Sequence, residues 1–144
     1  MKSAQENTSE DVRLIQLNQV FTQEQGSIVF CEESASLPFM PKRIFYLYDI
    51  PAGESRGAHA HKECHQLLVA VAGSFEVVTE DGTSKMKYYL NQPNQGLHIP
   101  PGIWAAEVNF SGGAICLVLA SEEYSEPDYI RSFQEFLNFR KHGK

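Results

Sequence analysis

The sequence predicts an all-β domain, a sandwich or jelly-roll barrel of about nine or ten short strands with one short C-terminal helix. Three observations carry this reading. Short runs of β-branched and aromatic residues recur along the chain, Gly and Pro turn signals separate them, and helical spacing of apolar residues occurs only near the C-terminus. A chain of 144 residues is long enough for one real core. Residues 11–144 are read as a single domain, and residues 1–10, polar and without period, as a disordered leader.

Residues 12–17 turn strand-like, Gly26 breaks the pattern, and residues 27–30 form a further short strand. Residues 31–41 read as a loop broken by Pro38 and Pro41. Residues 43–50, RIFYLYDI, make a strong strand. Alternation puts Ile44, Tyr46, Tyr48 and Ile50 on one face and Arg43, Phe45, Leu47 and Asp49 on the other. Residues 66–80 read as two strands joined at Ala72-Gly73. Asp81-Gly82 is a hairpin signal, and residues 85–90 return from it. Residues 97–99 form a short strand. Pro100-Pro101-Gly102 turns the chain into IWAAEV, and residues 114–120 are apolar enough for a buried strand. Over residues 129–141 the apolar side chains Ile130, Phe133, Phe136, Leu137 and Phe139 fall close to helical spacing, so this stretch is expected to be a helix packed on the body.

Composition narrows the function. A formal net charge of −6 argues against a broad nucleic-acid or anionic-membrane surface, so an anionic ligand would need local arginines. Cys31, Cys64 and Cys116 are odd in number and form no CxxC pair, which suits reduced thiols in a cytoplasm. No apolar run approaches the roughly 18 residues of a membrane-spanning helix, and no signal peptide opens the chain. The expectation is a soluble cytoplasmic protein.

The chemistry concentrates in residues 53–73, GESRGAHAHKECHQLLVAVAG, which hold His59, His61 and His65 behind Arg56. Histidine titrates near neutrality and is the usual proton-transfer side chain. His59 and His61, two apart, share a face if the stretch is a strand. The spacing Gly53, five residues, His59-x-His61, four residues, Gln66, six residues, Gly73 resembles the first motif of the cupins, which implies a cupin-type jelly-roll barrel. Metal-binding cupins place Glu where Gln66 stands and a His after the turn where this chain has Ala105. Two of the usual four ligands are thus missing, and catalytic metal sites generally keep three protein ligands. No metal and no cofactor are expected, and the His pair is left for acid–base work.

A closer resemblance spans about residues 12–137. PFMPKRIFYLYDI, RGAHAHKECHQLLVAVAGSFEVVTEDG, GLHIPPGIWAAEVNF and LVLASEEYSEPDYIRSFQEF together resemble the WxcM-like family, best known for dTDP-4-keto-6-deoxyglucose 3,4-ketoisomerases. The resemblance implies an isomerase that moves a keto group from C4 to C3 of a dTDP-linked hexose through an enediol, without cofactor. It implies His59 as the base and His61 as its relay partner or as a group polarising the sugar oxygens. Arg43 and Arg56 match family arginines and suit the diphosphate, because a guanidinium grips phosphate oxygens in pairs. Tyr46 is expected to contact the sugar or the thymine, although alternation sets it opposite Arg43. Gln66 is expected to hydrogen-bond a sugar hydroxyl, with His98 and Trp104 walling the pocket. Relatives often carry a His after the Trp of the second motif, where this chain has Ala105-Ala106, so the proton donor must come from elsewhere. The resemblance also implies a homodimer. Two other functions suit the same residues: a 3,5-epimerase on the same substrate class, and a cupin that binds a sugar nucleotide without turning it over.

Overall fold

A computed structural model describes residues 11–32 and 37–143; the leader expected over residues 1–10 and part of the loop over 31–41 lie outside the described residues. Twelve strands are present among the described residues: β1 (Arg13–Gln16), β2 (Asn18–Thr22), β3 (Gly26–Phe30), β4 (Arg43–Leu47), β5 (Arg56–His61), β6 (Gln66–Ala72), β7 (Phe75–Glu80), β8 (Lys85–Leu90), β9 (Gln95–Ile99), β10 (Trp104–Val108), β11 (Ile115–Ala120) and β12 (Tyr129–Ile130). One sheet has the order β1-β9-β6-β11-β4 and the other β12-β5-β10-β7-β8, with β2-β3 as a separate hairpin. All the pairings are antiparallel.

Alternation sorts the side chains into three apolar layers. Between the sheets lie Leu68 and Ala70 of β6, Phe75 and Val77 of β7, and Cys116 and Val118 of β11, with Phe45 and Leu47 of β4 packed against them. On the outer face of the first sheet, Leu67, Val69 and Leu119 are covered by Val29 of the hairpin and by Leu37 and Phe39. Outside the second sheet, Ala60, Ile130 and Phe136 pack with Trp104. The chain between β6 and β7 can close only with glycine at Gly73. Its φ is +65°, and a Cβ there would stand 2.6 Å from Ser111 Oγ and 2.8 Å from Ala114 Cα.

The fold is the expected β-barrel with a short C-terminal helix, and three elements differ in detail. β2 (Asn18–Thr22) follows β1 after Leu17, beyond the strand expected over residues 12–17. β4 stops at Leu47 rather than at residue 50, because Asp49 takes a left-handed φ of 60° that breaks the ladder. The helix expected over 129–141 begins later. Tyr129 and Ile130 pair with β5 as β12, and α1 (Phe133–Asn138) starts where Ser132 caps it, its hydroxyl accepting from the Glu135 N–H at 3.2 Å. The apolar spacing across 129–141 was real, but Ile130 satisfies it from a strand.

The buried ring of Phe136, 0% exposed and 5.7 Å from the Trp104 ring, holds α1 to the barrel. Phe136→Ala is expected to cost about 3–5 kcal/mol in chemical denaturation; a loss below about 1 kcal/mol would show that α1 docks by other contacts.

Candidate active site

The site is built on β5. Its outward residue Ala60 is sealed under Ile130 and Phe136, and His59 and His61 project into the barrel with ring centroids 5.0 Å apart at an interplanar angle of 87°. β12 lies along the free edge of β5, pairing Tyr129 with His61 and Ile130 with Ala60. That register lays the Tyr129 ring against both imidazoles, 4.9 Å from His59 and 4.4 Å from His61. The residue before β12, Asp128, accepts a hydrogen bond from His61 Nδ1 at 2.8 Å with one carboxylate oxygen, and from the Glu63 N–H at 2.7 Å with the other. A neutral His61 therefore carries its proton on Nδ1. Its buried Nε2 has no hydrogen-bond partner among the described residues and keeps a lone pair.

Burial disfavours the charged form of both histidines. Burial pulls the His59 pKa down to about 4, assisted by the neighbouring His61, Arg131 and Arg43 charges. Burial also lowers the His61 pKa, against the pull of the Asp128 hydrogen bond and charge.

His59 opens onto a cavity of about 300 Å³. Phe45, Leu47, Leu68 and Val118 form its apolar lining, and Arg56, Gln66, Glu107, Tyr129 and Arg131 supply the other polar groups beside His59. Arg131 stacks its guanidinium 4.3 Å from the centre of the Tyr129 ring and donates to both oxygens of Glu126, at 2.8 and 2.9 Å. The Glu107 carboxyl is buried, and burial pushes its pKa up to about 8 against the opposing charge of Arg56.

Of the residues singled out in the sequence, the structure brings His59, Arg56 and Gln66 to the cavity wall and sets His61 directly beside His59. Arg43 faces inward, with its guanidinium 5.1 Å from the Phe45 ring centre and 5.6 Å from that of Tyr124. Tyr46, His98 and Trp104 do not reach the cavity, and strand alternation is the reason in each case. Tyr46 lies on the outer face of β4, 61% exposed beside Tyr48. His98 is turned away from Leu97 and Ile99, whose side chains fill the inner core. It is buried on the other face of the sheet, where its Nε2 lies 3.0 Å from His65 Nδ1 and its ring near Phe39. Trp104 points outward onto Phe133 and Phe136, while its neighbour Ala105 points in and stands opposite His59 in the ladder.

Four residues of the site escaped the sequence reading. Glu107 could have been found by carrying alternation two residues on from Ala105. Asp128, Tyr129 and Arg131 lie in the SEPDYIR segment, and assigning the last two to a helix hid their approach to β5.

The donor set does not fit the four-ligand metal site of metal-binding cupins, because an amide occupies position 66 and a methyl group position 105. Elsewhere among the described residues, His61, Cys64 and Asp128 each bring one potential ligand atom within 4.8 Å of the others, but His61 and Asp128 already bond to each other.

Fold and site together define a cupin-type barrel whose pocket carries His59, with His61 beside it, and two arginines. Residues 10–141 match the WxcM-like, C-terminal family (FdtA), and the chain belongs to that family. It is 38% identical over 125 residues to the TDP-4-oxo-6-deoxy-α-D-glucose-3,4-oxoisomerase of Aneurinibacillus thermoaerophilus, covering 83% of this chain and 90% of that protein. A 3,4-ketoisomerase from Helicobacter canadensis superposes with a TM-score of 0.87 at 41% identity, over 91% of this chain and 98% of the other. A histidine-to-asparagine mutant of the QdtA 3,4-ketoisomerase from Thermoanaerobacterium thermosaccharolyticum, solved with TDP-4-keto-6-deoxyglucose, superposes with a TM-score of 0.86 at 32% identity, over 90% and 94% of the two chains.

Asp128→Ala removes both interactions that hold the His61 pKa up, the hydrogen bond and the carboxylate charge. An NMR titration of the variant should show His61 titrating at lower pH than in the wild type; an unchanged or raised pKa would contradict the assigned Asp128–His61 bond.

Proposed function

We propose that the chain is a sugar-nucleotide 3,4-ketoisomerase that converts TDP-4-keto-6-deoxyglucose to its 3-keto isomer, with His59 as the base. The observation that carries this reading is the His59 ring, packed beside the His61–Asp128 pair and open to a cavity lined by two arginines. The C4 carbonyl acidifies the hydrogen on C3. His59 takes that proton, the C3–H electron pair forms the C3=C4 bond, and the carbonyl electrons move to O4. The proton on O3 then passes to O4, C3=O forms, and C4 accepts a proton. The His61 ring, 5.0 Å from that of His59 and held by Asp128, suits a relay partner for the base.

Arg56 puts local positive charge at the cavity of an otherwise acidic chain, beside Arg131, which is paired with Glu126; this suits a diphosphate, and Arg43 adds to the same field. Gln66 on the inner face of β6 is placed to hydrogen-bond a sugar hydroxyl. Among the described residues no helix is long and apolar enough to cross a membrane, and a cytoplasmic enzyme remains our reading of the thiol content. A homodimer is part of the proposal. It is supported by exposed apolar side chains on the β2–β3 hairpin, Val20, Phe21 and Ile28, and on the outer face of β4, Ile44 and Tyr46.

In heavy water, TDP-4-keto-6-deoxyglucose should yield a 3-keto product bearing deuterium at C4 by NMR. Deuterium at C5 would favour epimerisation, and binding without exchange would leave only a binding protein. His59→Asn should abolish turnover with TDP binding largely kept; wild-type turnover in that variant would remove His59 from its role. Because His59 must be neutral to accept a proton, kcat/KM should fall with acidity only as pH approaches about 4, well below the ordinary histidine value of 6.5. A loss centred on that ordinary value would contradict the buried, neutral ring.

A further inference from the structure

We propose that Glu107 is the acid that delivers the proton to C4, an inference that rests on the ketoisomerase reading above. The reaction needs a group that is protonated before turnover begins, and both pocket histidines start neutral. Ala105, opposite His59 in the β5–β10 ladder, offers only a methyl group. Two residues further along β10 the next inward side chain is Glu107, roughly 7 Å along the strand. That separation along the cavity wall is one a single sugar ring can bridge.

A purely structural role does not explain a carboxyl group here. Its neighbours on the cavity wall include Leu47, Leu68 and Val118, where an aliphatic side chain of similar volume would pack without a desolvation cost. Glu107 is only 8% exposed and forms no ion pair among the described residues. Arg56 is its ladder partner on β5 and contributes charge at longer range. His59 and Arg131 share the cavity, and the Cys116 thiol of β11 lies close enough to feel the carboxyl charge. β5 makes room for the group at Gly57, where a Cβ would run into the carboxylate and where φ is +78°. An acid buried without a partner, beside a candidate base and against a backbone opened to receive it, marks chemistry rather than packing.

The step balances. His59 holds the proton from C3, and the proton of O3 has passed to O4. The O3 electrons form C3=O, the C3=C4 pair takes the Glu107 proton to make the C4–H bond, and Glu107 becomes a carboxylate. The imidazolium then returns a proton to the carboxylate, directly or through solvent, and both groups are reset.

The test is Glu107→Gln in heavy water, with TDP binding measured alongside. The variant should still place deuterium at C3 of recovered substrate, because His59 and its exchange with solvent are intact. Formation of the C4-deuterated 3-keto product should fall by about 100-fold or more. Wild-type kcat should also decline as pH rises through about 8, where Glu107 ionises, and the variant should lack that limb. Product formation within twofold of wild type would overturn the donor role, as would loss of C3 exchange along with product while TDP still binds. If the wild type gives neither exchange nor product, the ketoisomerase reading fails instead. Should the glutamine variant fold poorly, Glu107→Leu supplies an apolar side chain of similar volume, and wild-type turnover in that protein would equally overturn the proposal. Stability gives a separate readout. A carboxyl that ionises at 4.5 unfolded and at about 8 folded makes the wild type lose stability as pH rises between those values. Glu107→Gln should therefore gain Tm relative to wild type across that window.

Discussion

The site depends on two residues, Tyr129 and Ile130, pairing along the free edge of β5. Without β12 that edge would be open, and His61 would have no acceptor for its Nδ1 proton. The pairing brings three functions to one place: the Asp128 carboxylate behind His61, the Tyr129 ring across both imidazoles, and the Arg131 guanidinium at the cavity. Ile130 anchors the segment from its other face, buried with Ala60 and Phe136. The C-terminal helix thus serves the chemistry indirectly, by pinning a two-residue strand in register.

The electrostatics of the pocket follow from burial more than from ion pairing. Low solvation drives His59 and His61 toward their neutral forms and Glu107 toward its protonated form, so every group in the proton path starts uncharged. Arg56 and Arg131 line the cavity, and the Arg131 and Arg43 charges reinforce the neutrality of His59. A keto sugar entering such a site would meet a base able to accept a proton and an acid able to give one, with charge developing only during the reaction.

The sequence disclosed the barrel because alternation and turn chemistry are local properties. It grouped His59, His61, Arg56 and Gln66, and the fold brings them together because they sit on strands whose inward faces follow from a two-residue period. Where period and partner disagree, the structure places residues elsewhere than the sequence suggests. Tyr46 and Trp104 are aromatic residues at prominent motif positions, but their alternation sends them outside, one to solvent and one under α1. His98 is polar and lies in the second motif, but its neighbours Leu97 and Ile99 claim the interior. Asp128 and Arg131 could not be placed because their role depends on a strand pairing across some 70 residues of chain, from His61 to Asp128. Glu107 was legible in principle, since strand alternation puts it on the same face as Ala105.

Protonation of the two imidazoles in the resting protein is the feature on which the mechanism turns, and nitrogen-15 NMR of the histidine rings at neutral pH reads it directly. His59 should give the shifts of an uncharged ring, and His61 those of a neutral ring protonated at Nδ1, hydrogen-bonded to Asp128. A charged His59 at neutral pH, or a His61 ring with its proton on Nε2, would contradict the base assignment and the role of the β12 segment together.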